Sequence, residues 1–322
     1  MRRVLGLTLT GLGAFFLALA LLLRFYLPGQ VIKFPLNEYV VSTLTGHNAS
    51  YFSQKLVVEV PNVNVKATST VEGDVTAGSS STAVWDDFTA IQDTSNNEPI
   101  QYNSQRSAFD RHTGLLVNCC GAYINNNPNV RQTGQGYVWP IGTQKKTYQV
   151  FDATLLKPEP FTYQGTTTVQ GMTAYKFVEH VSNQQFSSQT LPGSLVGFKN
   201  QPSVTLPEFI TETKTYLVDP QTGSPLHVAE SETLSLEDIT GATKLVLFKG
   251  NLSETPASVT TAVNNANANH LKIDFVEDIG PLVCVLLGLV VLIIGITLTV
   301  SQRDYDDEEY EYESDEPVGY TA

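Results

Sequence analysis

The chain has 322 residues, 42% of them hydrophobic and 16% charged, with a formal net charge of −13. That length holds one large domain or two small ones. The acidic balance, with no basic patch, excludes a nucleic-acid interface.

Residues 1–3 carry Arg2 and Arg3. From Val4 to Leu23 no side chain is charged, and the same holds from Ile279 to Val300. Each run has the roughly 20 residues that a helix needs to cross a bilayer, and only a helix satisfies its own backbone over such a span. The spacing predicts transmembrane helices over 4–26 and 279–301. Ala18-Leu19-Ala20 matches a signal-peptidase site, but the apolar run continues unbroken to Leu23, which favours an uncleaved signal-anchor. Arg2 and Arg3 before the first run and Arg303 after the second place both termini in the cytoplasm, with 27–278 outside. Arg24, on the outer flank, is the single counter-signal.

Between the spans the pattern is β-rich. Val, Thr, Tyr and Phe fill 55–71, 146–155, 165–181, 212–219, 226–236 and 243–253, separated by Gly, Asn and Pro. The stretch 183–207 lacks periodicity and predicts a long, partly apolar loop or lid. Over 256–277 apolar residues fall at helical spacing and predict a helical return to the membrane. Residues 302–322 form an acidic tail with nine carboxylates and four interleaved tyrosines. Such like-charge blocks repel and stay disordered. With that tail and the four flanking arginines set aside, 27–278 carries −8. The fold class is a β-rich (α+β) extracytoplasmic domain, sheet- or barrel-like, between two membrane helices.

One phrase occurs twice: "DRHTG" at 110–114 and "DPQTG" at 219–223. Asp at the first turn position accepts backbone N–H bonds, and Gly114 and Gly223 supply positive φ. Asp110, Gly114, Asp219 and Gly223 therefore read as two hairpin turns. An aspartic-protease site needs Asp-Thr-Gly contiguous, and an EF-hand loop needs about six oxygen ligands. Neither copy qualifies.

Catalytic and metal motifs are missing from the sequence. The five histidines are scattered, with no His-Glu-x-x-His, no Gly-x-Ser-x-Gly and no phosphate-binding Gly-rich loop. The expectation is no enzyme, no cofactor and no metal. Cys119 and Cys120 are adjacent and outside the membrane, where disulfides persist. A vicinal ring, a bridge to another chain and two buried thiols all remain open, with the ring preferred. Lys145-Lys146 before Tyr148 reads as a solvated strand end or a contact for an anionic headgroup.

The phrases "AFDRHTGLLVNC", "WPIGTQKKTYQVFDATL" and "TYQGTTTVQGMTAYKFVEHV" resemble those of an actinobacterial envelope family, the porin PorA family, over nearly the whole chain. The resemblance implies a cell-envelope location and channel-forming activity for at least one member. More distantly, "VQGMTAYKFV" and "YLVDPQTG", with one β domain between two terminal helices, are similar to the class B scavenger receptors. That likeness implies a lipid tunnel within the β domain. On it rests an expected ligand site of Val169, Tyr175, Phe177, Tyr216 and Leu217, covered by the 183–207 loop. Membrane lipids and a lipid or other apolar ligand are the expected partners. A homo-oligomer, a channel, and an anchor acting through the acidic tail are the competing readings.

Overall fold

The computed structural model describes residues 2–313, with side chains over 4–300; residues 314–322 of the expected acidic tail lie outside the described residues. The chain divides into two units: residues up to Ile32 with those from His270 onward, and Lys33–Asn269.

The first unit is helical. Helix α1 spans Arg2–Phe25, a short α2 spans Pro28–Val31, and α4 spans Gly280–Glu313. Helix α3 spans Pro256–Asp274; its residues through Asn269 belong to the second unit and its last turn to the first. A π-turn at Phe275–Ile279 joins α3 to α4. Two helical stretches are long and apolar enough to cross a membrane, Val4–Phe25 and one within Pro256–Val300. Helices α1 and α4 pack antiparallel along a seam of small residues. Gly6, Gly13 and Ala20 are buried at seven-residue intervals on α1, as are Pro281, Gly288 and Gly295 on α4. A Cβ on Gly13 would lie 2.6 Å from the Leu292 nitrogen, and one on Gly6 2.5 Å from Thr299 Oγ1. Small residues let two backbones approach where lipid offers no hydrophobic drive. At the far end Arg24 donates to the Glu277 carbonyl at 2.6 Å and pairs with Asp278 at 3.1 Å. The counter-signal of the sequence thus has partners of its own.

The second unit is a curled antiparallel half-barrel of 11 strands. Its strands are β1 (Tyr39–Ser53), β2 (Val58–Gly73), β3 (Thr82–Asp93), β4 (Pro99–Asp110), β5 (Leu116–Val117), then β7 (Tyr148–Asp152), β8 (Lys157–Val169), β9 (Met172–Leu191), β10 (Val204–Val218), β11 (Pro225–Glu237) and β12 (Thr243–Glu254). The order is β5-β4-β3-β2-β1-β12-β11-β10-β9-β8-β7, and the short β6 (Tyr123–Ile124) pairs with β4 off this path. Residues 134–136 bridge the two free edges at one end. Leu116 N–H donates to Gly134 O at 2.8 Å on the β5 side, and Gln135 N–H donates to Gln149 O at 2.7 Å on the β7 side. Closure removes unpaired edge groups there.

The curl gathers Ala49, Tyr51, Val65, Ile91, Ile210 and Phe248 into one core. On the opposite face α3 lays Val259, Val263 and Ala266 against Met172, Ala174 and Leu226. Two local expectations change. The stretch 183–207 is mostly strand, with only 192–203 outside β9 and β10. Its Gln and Ser residues hide a ladder whose bonds are backbone to backbone, such as Leu206 opposite Gln189. The single strand expected over 165–181 is two, turning at Gln170 and Gly171, both at positive φ.

Candidate functional site

Side chains of a strand alternate between faces. On β10 one face therefore presents Ile210, Glu212, Lys214, Tyr216 and Val218 in sequence. The register sets Tyr216 opposite Phe177, Lys214 between Glu179 and Glu230, and Glu212 opposite Glu232. An aromatic cluster and a charged cluster thus adjoin along the same strands.

The aromatic cluster centres on buried Trp139, which stacks on Phe177 at 5.6 Å and lies 5.0 Å from Tyr216. Tyr148, Phe161, Tyr163 and Tyr175 complete it, with the last two half-buried. Lys145 Nζ sits 5.3 Å over the Tyr175 ring and Lys146 Nζ 5.2 Å over the Tyr148 ring. Trp139 Nε1 is buried without a hydrogen-bond partner among the described residues.

The two repeated turns hold Trp139 in place. Asp110 Oδ1 accepts from the N–H groups of His112 and Thr113 at 3.0 and 2.8 Å, and Asp219 Oδ2 accepts from Thr222 N–H at 2.9 Å. Gly114 and Gly223 have φ of 69° and 74°. Both turns clasp the segment 136–142, "GYVWPIG". Gly136 N–H donates to Gly114 O at 3.2 Å, Ile141 N–H to His112 O at 3.2 Å, and Trp139 N–H to Gly223 O at 2.8 Å. A Cβ on Gly114 would stand 2.7 Å from Val138 O, and one on Gly223 would overlap Trp139 O. The glycines are needed for close approach as well as for the turn.

The charged cluster lies one step along the strands. Lys214 Nζ bonds Asp152 Oδ2, lies 2.9 Å from Glu212, and stands 3.9 Å from both Glu179 and Glu230. Glu179 is 0% exposed, and neither of its oxygens has a hydrogen-bond partner among the described residues. Burial pushes Glu179 up to about 7 and Glu212 up to about 8, with the attraction of Lys214 only partly offsetting it. Burial also drives Glu232 well above the usual carboxylate range. Asp152 goes the other way. Burial raises it, but Lys214 and the backbone N–H groups of Thr154 and Leu155 outweigh that and hold it low. Burial lowers Lys214, yet the surrounding carboxylates lift it well above its ordinary value.

A family model described as Porin PorA matches residues 5–297. The chain belongs to the porin PorA family. No curated protein sequence matches it.

In this porin PorA member the five expected ligand residues separate. Tyr175, Phe177 and Tyr216 meet in the aromatic cluster. Val169 and Leu217 face the other way, packed with Val259 and Val263 of α3. The grouping of all five around one chamber does not hold, because Leu217 and Tyr216 are strand neighbours and must point to opposite faces. The expected lid residues Leu191, Leu195, Val196 and Phe198 pack with Leu206 and Leu236. Leu206 is ten residues from Tyr216, about 33 Å along a strand, so they do not cover the aromatic cluster. Cys119 is joined to Cys120 just beyond β5, where Arg106 Nε donates to the Cys120 carbonyl at 3.1 Å.

The charged cluster escaped the sequence reading of this porin PorA protein because its members come from separate strands and no spacing unites them. One signal was present. In "ITETKTY" (210–216) the charged residues share the parity of Ile210 and Tyr216, so they point where apolar side chains point.

Proposed function

We propose that this protein is a plasma-membrane envelope protein held by α1 and α4, with both chain ends cytoplasmic and residues 27–278 outside. In this reading the β domain binds an anionic amphiphile, a lipid or related apolar molecule, and performs no catalysis. One observation carries the reading: six aromatic side chains cluster with Trp139, with Lys145 and Lys146 over two of the rings. The rings offer apolar area, the lysines attract an anionic head, and the orphaned Trp139 N–H offers a donor. A Trp85→Phe chain leaves Trp139 as its single tryptophan. Purified full-length in amphipol, it should be quenched saturably by brominated fatty acids. Affinity should climb with chain length by up to about 0.8 kcal/mol per buried CH₂. Replacing Lys145 and Lys146 by Ala should weaken the fatty acid and spare the matching neutral alcohol. No saturable quenching at any chain length overturns the reading.

The family description supports a second reading, a channel. Gly6, Gly13, Gly288 and Gly295 bring the α1 and α4 backbones into direct contact, so one helical hairpin encloses no polar lumen. Conduction would need several copies in a homo-oligomer. Stepwise conductance in a planar bilayer from the purified chain supports this reading, and a silent bilayer removes it.

A further inference from the structure

We infer that Asp152, Glu179 and Glu212, beside Lys214, form a binding site for one hard divalent cation of the Ca²⁺ or Mn²⁺ class. Each residue offers an oxygen, and the three oxygens lie within 4.8 Å of one another. Calcium–oxygen bonds run about 2.3–2.6 Å, so oxygens across one ion stand at most about 5 Å apart. The donors are all carboxylates, which select hard ions over Zn²⁺ or Cu⁺.

Glu179 points to a ligand independently of that spacing. It is fully buried, and both of its oxygens lack a donor among the described residues. The ammonium of Lys214, at 3.9 Å, is beyond hydrogen-bond range. A buried carboxylate without a donor is costly, and a coordinated ion removes that cost. Charge points the same way. Lys214 faces Asp152 from β7, Glu179 from β9, Glu212 on its own strand, and Glu230 and Glu232 from β11, with Glu159 of β8 and Tyr216 nearby. One ammonium cannot neutralise five carboxylates. A divalent ion supplies two of the four positive charges still missing; without it, protons must make up more of the balance. The side chains of Glu230 and Lys214, 23% and 16% exposed, mark the way in.

The test uses the full-length chain in detergent, stripped with EDTA and titrated with Mn²⁺ while free Mn²⁺ is followed by electron paramagnetic resonance. Ca²⁺ serves as competitor. The expected result is one saturable site per chain, tightening as pH rises because the ion displaces protons. Glu179→Gln should weaken Mn²⁺ about tenfold or more. Lys214→Met should tighten it, since a competing positive charge is removed. If Lys214→Met fails to fold, Glu179→Gln decides, because it removes only a charge that burial disfavours. Absence of saturable binding in the parent chain, or unchanged affinity in folded Glu179→Gln, overturns the site.

Discussion

Glu179→Gln should make the protein more stable at alkaline pH, and the sign follows from the burial of this carboxylate. Its ordinary value is 4.5, and in the folded chain it stands at about 7. Between those values the folded state holds a proton that the unfolded state has released. Stability therefore falls as pH rises through this window, by about 1.4 kcal/mol per pH unit for one extra proton. Over the full interval that is about 3 kcal/mol. Titration is shared with Glu212, so the gain from one substitution is smaller, about 1–3 kcal/mol at pH 8. Asp152 titrates below this window and Lys214 above it, so neither contributes. His227, lowered by burial, contributes with the opposite sign, but equally in both proteins. Glutamine keeps the shape and cannot ionise. The assay is urea unfolding of the full-length chain in detergent with EDTA, from pH 5 to 8.5. The parent should lose stability across the range, and the variant should lose measurably less. Parallel curves for the two proteins would refute the argument.

Gly223→Ala should cost about 2–4 kcal/mol, combining positive-φ strain with loss of the Trp139-to-Gly223 hydrogen bond. Gly171→Ala, at φ 86° with open space around it, should cost only about 1–2 kcal/mol; equal losses in chemical denaturation would refute the clasp. Cysteines replacing Gly6 and Thr299 should form an intramolecular disulfide under mild oxidation, seen as a mobility shift on gels, since the Gly6 Cβ would nearly touch the Thr299 side chain. A protease added to intact spheroplasts should digest 27–278 and spare the acidic tail; clipping of the tail from outside would reverse the orientation.

The sequence by itself determined the two apolar helices, the β-rich domain between them and the family, because hydrophobic run length, strand composition and local phrases are properties of contiguous residues. It also determined the two turns, since Asp-x-x-Thr-Gly closes its own hydrogen bonds within five residues. It did not reveal what the turns are for. Gly114 and Gly223 are 109 positions apart, yet both clasp 136–142, and only the curl of the sheet brings them there. The seven-residue seam of Gly6, Gly13, Gly288 and Gly295 became legible only once α1 and α4 lay antiparallel. Register decided the rest. It set Glu179 and Glu230 on either side of Lys214, and it turned Leu217 away from Tyr216. Carboxylates from β7, β9, β10 and β11 have no common spacing along the chain, so their shared burial, and the chemistry that follows from it, exists only in the folded sheet.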